Sequence, residues 1–396
     1  MLEGKHIVLG VTGSIAAYKI ASLASMLKKQ HADITVIMTK NATNFINPIT
    51  FEELTGNKCL VDTFDRNFEH SVEHISLARQ TDVFLIAPAS ANVIAKAAHG
   101  IADDMLTTTF LACECPKIVA PAMNTRMYLN PITQDNLELL RKYRMEVVEP
   151  ATGHLACGDV GAGKMPEPGV LFEYLVRALT PKDMAGLRVL VTAGPTREKI
   201  DPVRYISNHS SGKMGYAIAK AAMRRGAEVT LVTGKTDLTP PISVETVDIT
   251  SAAEMADAVK SRADKQDIII KAAAVADYRP RYTADEKIKK KDDDMSIALE
   301  RTEDILGYLG AHKREGQFLC GFSMETENME HNSREKLRKK NLDLIVANNL
   351  KQAGAGFGTD TNIVTLMSEA DTVQLPMLSK EDVADRLLTY IMEHRK

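Results

Sequence analysis

The stretch His6-Ile7-Val8-Leu9-Gly10-Val11-Thr12-Gly13-Ser14 decides the fold. An apolar run ends in a glycine turn, a helical pattern follows from Ile15 to Lys29, and Ile34-Thr35-Val36-Ile37-Met38 closes the unit. The same order returns at Arg188-Val189-Leu190-Val191-Thr192. A glycine-containing loop follows, then a helical pattern from about Met214 to Arg225, then Glu228-Val229-Thr230-Leu231-Val232. Strand, glycine loop, helix, strand is the opening unit of a parallel sheet with helices packed on it. Two such openings predict two α/β domains in tandem, residues 1–180 and 187–396. The polar stretch Leu179-Thr180-Pro181-Lys182-Asp183-Met184-Ala185-Gly186 reads as the linker.

Further short apolar runs follow each opening. Val83-Phe84-Leu85-Ile86-Ala87-Pro88 and Lys117-Ile118-Val119-Ala120-Pro121 both end in Ala-Pro. The second half repeats the pattern at Asp267–Ala274, Phe318–Phe322 and Leu342–Ala347. Open parallel sheets bind ligands outside the carboxyl ends of their strands, so the residues just past these runs are the ones to inspect. Ser14 can cap the following helix while its N–H faces an anion. Ser90-Ala91-Asn92 and Met123-Asn124 are small and amide residues suited to a phosphate or a planar heterocycle. Turn chemistry alone also yields Ser and Asn, but the pattern occurs twice in one domain. No G-x-G-x-x-G dinucleotide fingerprint is present.

The chain has 396 residues, enough for two or three domains at about 150 each. Lys+Arg is 49 and Asp+Glu 52, so the formal charge of −3 argues against a duplex-DNA binder carried by bulk charge. No apolar run reaches the length of about 18 residues that a membrane helix needs. The start runs directly into an apolar strand, so no signal peptide is expected. Five cysteines are too few and too scattered for a disulfide framework, which points to a reducing cytoplasm.

Several motifs carry a plain and a chemical reading. Gly158–Met165 nearly matches a P-loop, but Met165 stands where a magnesium-binding Ser or Thr belongs and Pro166 follows. Its glycines suggest a mobile flap carrying Cys157, which is either a buried structural thiol or one that meets substrate. His70 and His74 can share a helix face, but the usual zinc spacings are absent, and Cys113-Glu114-Cys115 is too tight for a zinc clip. We expect no structural metal. The long insertion Pro195–Gly212 holds Arg197, Arg204, Asn208, His209 and the pair Ser210-Ser211, a set suited to a phosphorylated substrate. Lys287-Ile288-Lys289-Lys290-Lys291 reads as a solvated loop or as a lysine lid over a triphosphate. Lys336 and Lys340 are spaced as one helix face and offer a second cationic source.

Together these motifs resemble the bacterial bifunctional phosphopantothenoylcysteine decarboxylase/phosphopantothenate–cysteine ligase family of coenzyme A biosynthesis, over essentially the whole chain. The first-half signals are Gly13–Lys19, Ala89–Asn92, Pro121–Met127 and Ala156–Asp159. The second-half signals are Thr192–Thr196, Ile206–Gly215, Ala274–Tyr278 and Lys287–Lys290. Tyr128 departs from the family's frequent Trp, and Lys271-Ala272-Ala273 stands where a glycine or cysteine is common. The resemblance implies a flavodoxin-like first domain that holds FMN through Gly13, Ser14, Thr39, Ser90 and Asn92. It implies His74 as the base at the substrate thiol, Asn124 on the substrate carboxylate with Met127 packed beside it, and Cys157 as the late proton donor. Oxidation of the thiol toward a thioaldehyde would provide the electron sink for loss of CO₂.

For the second half it implies a Rossmann-like ligase that joins 4'-phosphopantothenate and L-cysteine with CTP through an acyl-cytidylate. Lys287 would act at the α-phosphate, with Lys336 and Lys340 on the other phosphates. Asp277 would meet the ribose or a magnesium ion. Lys271, Ala272, Ala273, Glu303, Asp304, Ile305, Leu306 and Phe322 would line the nucleotide pocket, and Asn208 would hold the acyl-cytidylate carbonyl. The resemblance further implies a homo-oligomer, with trimers of the first domain and dimers of the second closing into a dodecamer. No nucleic-acid or membrane partner is expected. Two rivals share the first-half motifs: a peptide-cysteine decarboxylase of the lantibiotic type, which would not need residues 187–396, and a regulatory phosphatase-binding flavoprotein, which typically carries an acidic tail.

Overall fold

The computed structural model describes residues 2–63, 73–155, 158–289, 295–325, 328–349, 356 and 358–395. The chain divides into two compact units, Met1–Thr180 and Pro181–Lys396. The division falls inside the polar Pro/Gly stretch, where few side chains can be buried.

In the first unit, β1 (His6–Val11), β2 (Asp33–Met38), β3 (Val83–Ala89), β4 (Lys117–Pro121) and β5 (Glu146–Val147) form a sheet of order β2-β1-β3-β4-β5. Every neighbouring pair is parallel, with His6 opposite Asp33 and Ile7 opposite Val83. The helices are α1 (Tyr18–Lys29), α2 (Pro48–Thr55), α3 (Glu73–Gln80), α4 (Ala91–His99), α5 (Met105–Ala112), α6 (Thr125–Tyr128), α7 (Pro131–Lys142) and α8 (Pro168–Leu179). Strand side chains alternate between faces. Ile7, Leu9 and Val11 therefore pack with Ile20, Leu23 and Leu27 of α1 and Leu171 and Leu175 of α8. Val8, Phe84 and Ile86 face Val93 of α4, Phe110 of α5 and Leu137 of α7. Each such burial contributes about 1.5–3 kcal/mol. Because both faces are covered, the strands read as continuous apolar runs.

The glycine-rich segment expected as a flap forms an antiparallel hairpin, β6 (Ala151–His154) with β7 (Val160–Lys164). Two of its glycines, Gly161 and Gly163, answer to packing. Gly163 has φ +128, and a Cβ there would lie 2.3 Å from the Met123 carbonyl. The hairpin thus lies directly on the segment after β4, with the Met123 N–H donating to the Gly163 carbonyl at 3.0 Å. Cys157 and Ala156 lie outside the described residues.

In the second unit, β8 (Arg188–Ala193) lies mid-sheet. With β11 (Glu228–Thr233), β12 (Glu245–Asp248), β13 (Ile268–Lys271), β16 (Phe318–Glu325), β17 (Leu344–Asn349), β19 (Val364–Met367) and β20 (Thr372–Gln374) it gives the order β12-β11-β8-β13-β16-β17-β19-β20. Pairs from β12 to β17 are parallel, and β19 and β20 return antiparallel. Smaller hairpins are β9 (Arg197–Lys199) with β10 (Tyr205–Ser207) and β14 (Tyr278–Pro280) with β15 (Leu299–Arg301); β18 (Thr361–Asn362) pairs with β21 (Leu378–Ser379). One face carries α9 (Lys213–Arg224) and α13 (Lys380–His394), packed on Val189 and Val191. The other carries α10 (Ala252–Ala263), α11 (Ile305–Ala311) and α12 (Met329–Lys339), packed on Leu190 and Ile269.

Two details differ from the sequence reading. The insertion 195–212 is not a bare loop but holds the β9–β10 hairpin. The run Asp267–Ala274 leaves the strand at Lys271, because the N–H groups of Ala273 and Ala274 turn to the Thr192 hydroxyl (3.1 Å) and the Gly194 carbonyl (3.0 Å).

Candidate functional site

In the first unit the carboxyl edge of the sheet collects the expected residues. In a β2-β1-β3-β4-β5 order the crossovers leave β1 in opposite directions, which opens a crevice between β1 and β3. Thr12 bridges its floor: its hydroxyl donates to the Pro88 carbonyl at 2.6 Å and accepts from the Ser90 N–H at 2.9 Å. Gly13 and Ser14 follow β1, Thr39 follows β2, and Ser90 and Asn92 follow β3. Ser14 caps the 3-10 turn Ile15–Ala17 that leads into α1, and Ser90 caps α4. A side chain at Gly13 would put its Cβ 2.8 Å from the Asn41 Cβ, so the loops after β1 and β2 close on each other there. Hydroxyls and an amide around helix N-termini suit a phosphate-bearing group.

Asn124 sits past β4 as the cap of α6. It accepts from the Arg126 N–H at 2.8 Å and donates from Nδ2 to Asp159 Oδ2 at 2.8 Å, across to the hairpin. Met127 is exposed one turn on. Tyr128 is buried, and its hydroxyl donates to Glu149 at 2.9 Å; it belongs to the core rather than to an open pocket. His74 is half-buried in the first turn of α3. That helix runs back toward the amino edge, where the Asp82 N–H meets the His6 carbonyl, so its first turn faces the carboxyl edge. His70 is outside the described residues.

The second unit holds a cavity of about 790 Å³ at the carboxyl edge of its sheet. It gathers Asn208, Lys271, Ala272, Ala273, Asp277, Glu303, Asp304, Ile305, Leu306, Phe322, Lys336 and Lys340 from five separate stretches of chain. Asn208 Nδ2 donates to the Ala274 carbonyl at 3.1 Å. Lys340 pairs with Asp304 at 2.9 Å, and Asp304 also caps α11 by accepting from Gly307 N–H at 3.0 Å. Burial opposes the Asp304 charge, but these two partners outweigh it and hold its carboxyl below the usual range. Glu303 pairs with Lys260. Burial pushes the Lys271 ammonium down to about 8, helped by Lys340 and Lys336 and opposed by Asp304 and Asp277.

Lys287 is exposed and does not line this cavity, so the structure does not bring it together with the others. Lys290 and Lys291 lie outside the described residues. The sequence reading missed Lys213, Arg301, Thr302, Met324, Asn348, Asn362 and Lys380, which also line the cavity. Asn348 Oδ1 is buried there with no hydrogen-bond partner among the described residues. Lys380 had no readable signal: its Nζ turns inward to the Gly356 (3.1 Å) and Thr359 (2.6 Å) carbonyls. Among the described residues no group of three or more His, Cys, Asp or Glu could hold a metal ion, and no helix is long and apolar enough to cross a membrane.

Residues 1–180 match the family model described as Flavoprotein, and residues 184–394 match that of the DNA/pantothenate metabolism flavoprotein C-terminal domain. The chain is 46% identical over 396 residues to the coenzyme A biosynthesis bifunctional protein CoaBC of Bacillus subtilis (strain 168), covering 99% of this chain and 97% of that protein. It is 43% identical over 395 residues to the protein of the same name from Escherichia coli (strain K12), covering 99% and 97%. A solved C-terminal domain of a coenzyme A biosynthesis bifunctional protein CoaBC is 46% identical, covers 54% of this chain and 97% of its own, and superposes with a TM-score of 0.47. With both halves matched in order and nearly the full length covered, the chain belongs to the family of coenzyme A biosynthesis bifunctional proteins.

Proposed function

We propose that the chain catalyses two consecutive steps of coenzyme A biosynthesis. The second unit ligates L-cysteine to 4'-phosphopantothenate with CTP, through an acyl-cytidylate. The first unit then decarboxylates 4'-phosphopantothenoylcysteine to 4'-phosphopantetheine with FMN. One observation carries the reading: a match from end to end, over 99% of the chain, to bifunctional proteins of this pathway.

In the second unit the residues do electrostatic work. Forming the acyl-cytidylate places negative charge on the α-phosphate and the leaving pyrophosphate, and preorganised cations there lower the barrier. Lys336 and Lys340 hold phosphate oxygens, Lys271 adds a third charge, and Lys287 acts at the α-phosphate. Ile305, Leu306 and Phe322 give the nucleotide an apolar wall, while Ala272, Ala273 and Glu303 contact the rest of it. Asp277 fits magnesium's habit of binding one or two carboxylates plus substrate phosphates. Asn208, already oriented by the Ala274 carbonyl, donates to the acyl carbonyl as cysteine's amine attacks.

In the first unit, Gly13, Ser14, Thr39, Ser90 and Asn92 hold FMN at the β1/β3 crevice, and the capping hydroxyls described above fit its phosphate. The bound flavin supplies reversible two-electron exchange with the substrate. His74 takes the thiol proton, Asn124 orients the carboxylate that departs, and Met127 packs against the substrate. Cys157 returns a proton after CO₂ has left. The second unit and its cavity favour this reading over a lone peptide-cysteine decarboxylase.

The chain works in the cytoplasm as a homo-oligomer, a dodecamer of trimeric first units and dimeric second units. The free thiols Cys59, Cys113, Cys115 and Cys320 suit a reducing compartment. The test is to incubate the purified protein with 4'-phosphopantothenate, cysteine, CTP and magnesium and follow products by mass spectrometry. Both the ligated acid and 4'-phosphopantetheine should form. Absence of both the ligated acid and 4'-phosphopantetheine when all substrates are supplied would end the proposal.

A further inference from the structure

Asp201 is buried in the turn that joins β9 to β10, and its carboxylate is fully engaged. Oδ1 accepts from the N–H groups of Val203 and Arg204, each at 2.8 Å. Oδ2 accepts from the Arg204 guanidinium, at 3.0 Å from Nε and 2.6 Å from Nη2. The same Oδ2 accepts from the Ile288 N–H at 3.2 Å, and Arg204 Nη2 donates to the Ile288 carbonyl at 2.9 Å. One ion pair therefore grips both backbone groups of a residue 87 positions away. Nearby, the Ala284 N–H donates to the Ile200 carbonyl at 3.0 Å and the Thr283 hydroxyl to the Lys199 carbonyl at 3.2 Å. The residue immediately before the gripped one is Lys287.

A hairpin turn needs only the two bonds from Val203 and Arg204. The bonds to Ile288 do nothing for the turn; they fix the strand of chain that carries Lys287. We propose that Asp201, with Arg204, is a positioning residue for the ligase step: it sets where Lys287 can reach and acts on acyl-cytidylate formation through that lysine. The proposal rests on the role given to Lys287 above.

The physical case is one of geometry. Lys287 is exposed, on the connection between β14 and β15, whose described residues form neither helix nor strand. A long side chain on an unpinned loop samples many positions, and a misplacement of about 1 Å can cost on the order of a hundredfold in rate. Holding the next peptide at both its N–H and its carbonyl removes the freedom of the backbone that aims the lysine. The Arg204 side chain, together with the Val203, Arg204 and Ile288 N–H groups, keeps the Asp201 carboxyl far below the ordinary carboxylate range despite its burial. The carboxylate that makes the clamp is therefore held in its anionic form.

The test uses the full-length protein and measures CTP-dependent pyrophosphate release for Asp201→Asn, Lys287→Gln and the double variant. Asp201→Asn puts an NH₂ donor or a neutral oxygen against the guanidinium and breaks the grip. It should lower kcat about 10- to 100-fold, with the KM for CTP changed less than about threefold. Because Asp201 acts through Lys287, the double variant should be no slower than Lys287→Gln alone. Multiplied losses in the double variant, or normal kcat in Asp201→Asn, would overturn the proposal. If Asp201→Asn fails to fold, Arg204→Met leaves the turn bonds to Asp201 in place, frees only the Ile288 carbonyl and the guanidinium contacts, and should show the same non-additivity with Lys287→Gln. Normal release by Lys287→Gln alone would instead remove the role of Lys287, and this proposal with it. Slow release by Lys287→Gln with additive losses would remove only the positioning role.

Discussion

Lys271 should make nucleotide binding fall as pH rises through 8, because burial holds its ammonium near there. With a pKa of about 8, about nine in ten of these side chains are charged at pH 7 and about one in ten at pH 9. A unit charge 4–6 Å from a phosphate oxygen at an effective dielectric near 20 is worth on the order of 3 kcal/mol before screening. A net 1–3 kcal/mol corresponds to roughly 5- to 150-fold in Kd. Proton linkage limits the slope to about tenfold per pH unit above 8. The assay is equilibrium CTP binding by calorimetry from pH 7 to 9.5, without cysteine so that no substrate thiol titrates. Lys271→Met should bind CTP weakly already at pH 7 and lose the slope. The sign for stability is opposite. The folded pKa lies below the ordinary 10.5, so between about 8 and 10.5 the unfolded chain holds more protons at Lys271. At this site alone, the ligand-free protein gains stability over that range while CTP affinity falls. A wild-type Kd flat to pH 9.5, or a full wild-type slope retained in Lys271→Met, would refute the reasoning.

Other outcomes follow from single contacts. Gly163→Ala forces a Cβ against the Met123 carbonyl at a φ of +128 and should cost about 2–4 kcal/mol, read as a drop of roughly 5–15 °C in the melting of the first unit. Lys287→Gln should lose most of its acyl-cytidylate formation and keep only slow pyrophosphate release, whereas Asn208→Asp should form the intermediate and release it slowly. In the latter, the bond to the Ala274 carbonyl becomes a repulsion and the new carboxylate opposes the developing oxyanion; pyrophosphate release and trapping of the intermediate separate the two. Light scattering should give a mass near twelve chains of 43.5 kDa, and a monomer at micromolar concentration would remove the proposed assembly.

The fold was legible where burial imposes a pattern. Val8 to Val11 and Val189 to Val191 are covered on both faces, so they appear as unbroken apolar runs, and the glycine turns after them mark the carboxyl edges. What escaped the sequence reading was structure without an apolar pattern. Arg197–Lys199 and Tyr205–Ser207 form strands through backbone pairing and a stack of the Arg197 guanidinium on the Tyr205 ring, with no alternating apolar face, and their charged residues look like loop. The glycines of 153–163 looked like mobility, yet Gly163 is there because a neighbouring carbonyl leaves no room for Cβ. In the cavity, the nucleotide side was read through motif resemblance. Lys213 lay inside the quoted Ile206–Gly215 run without a role of its own, and Lys380 lay in no motif, because their partners are at Gly358, Asp360, Gly356 and Thr359, far along the chain. An ammonium held by distant carbonyls leaves no mark on local spacing. Likewise, nothing about Asp201 in the sequence tells that its carboxylate reaches Ile288.

The most direct measurement supplies cysteine labelled with ¹³C at its carboxyl group, together with 4'-phosphopantothenate, CTP, magnesium and the flavin-loaded protein. Pyrophosphate and ¹³CO₂ are then followed in the same vessel. If one chain performs ligation and then decarboxylation, the two appear in a one-to-one ratio and the final thiol carries no label. Omitting CTP should stop both. Label released as ¹³CO₂ without CTP, or a labelled ligated acid that accumulates with no ¹³CO₂ at all, would contradict the account.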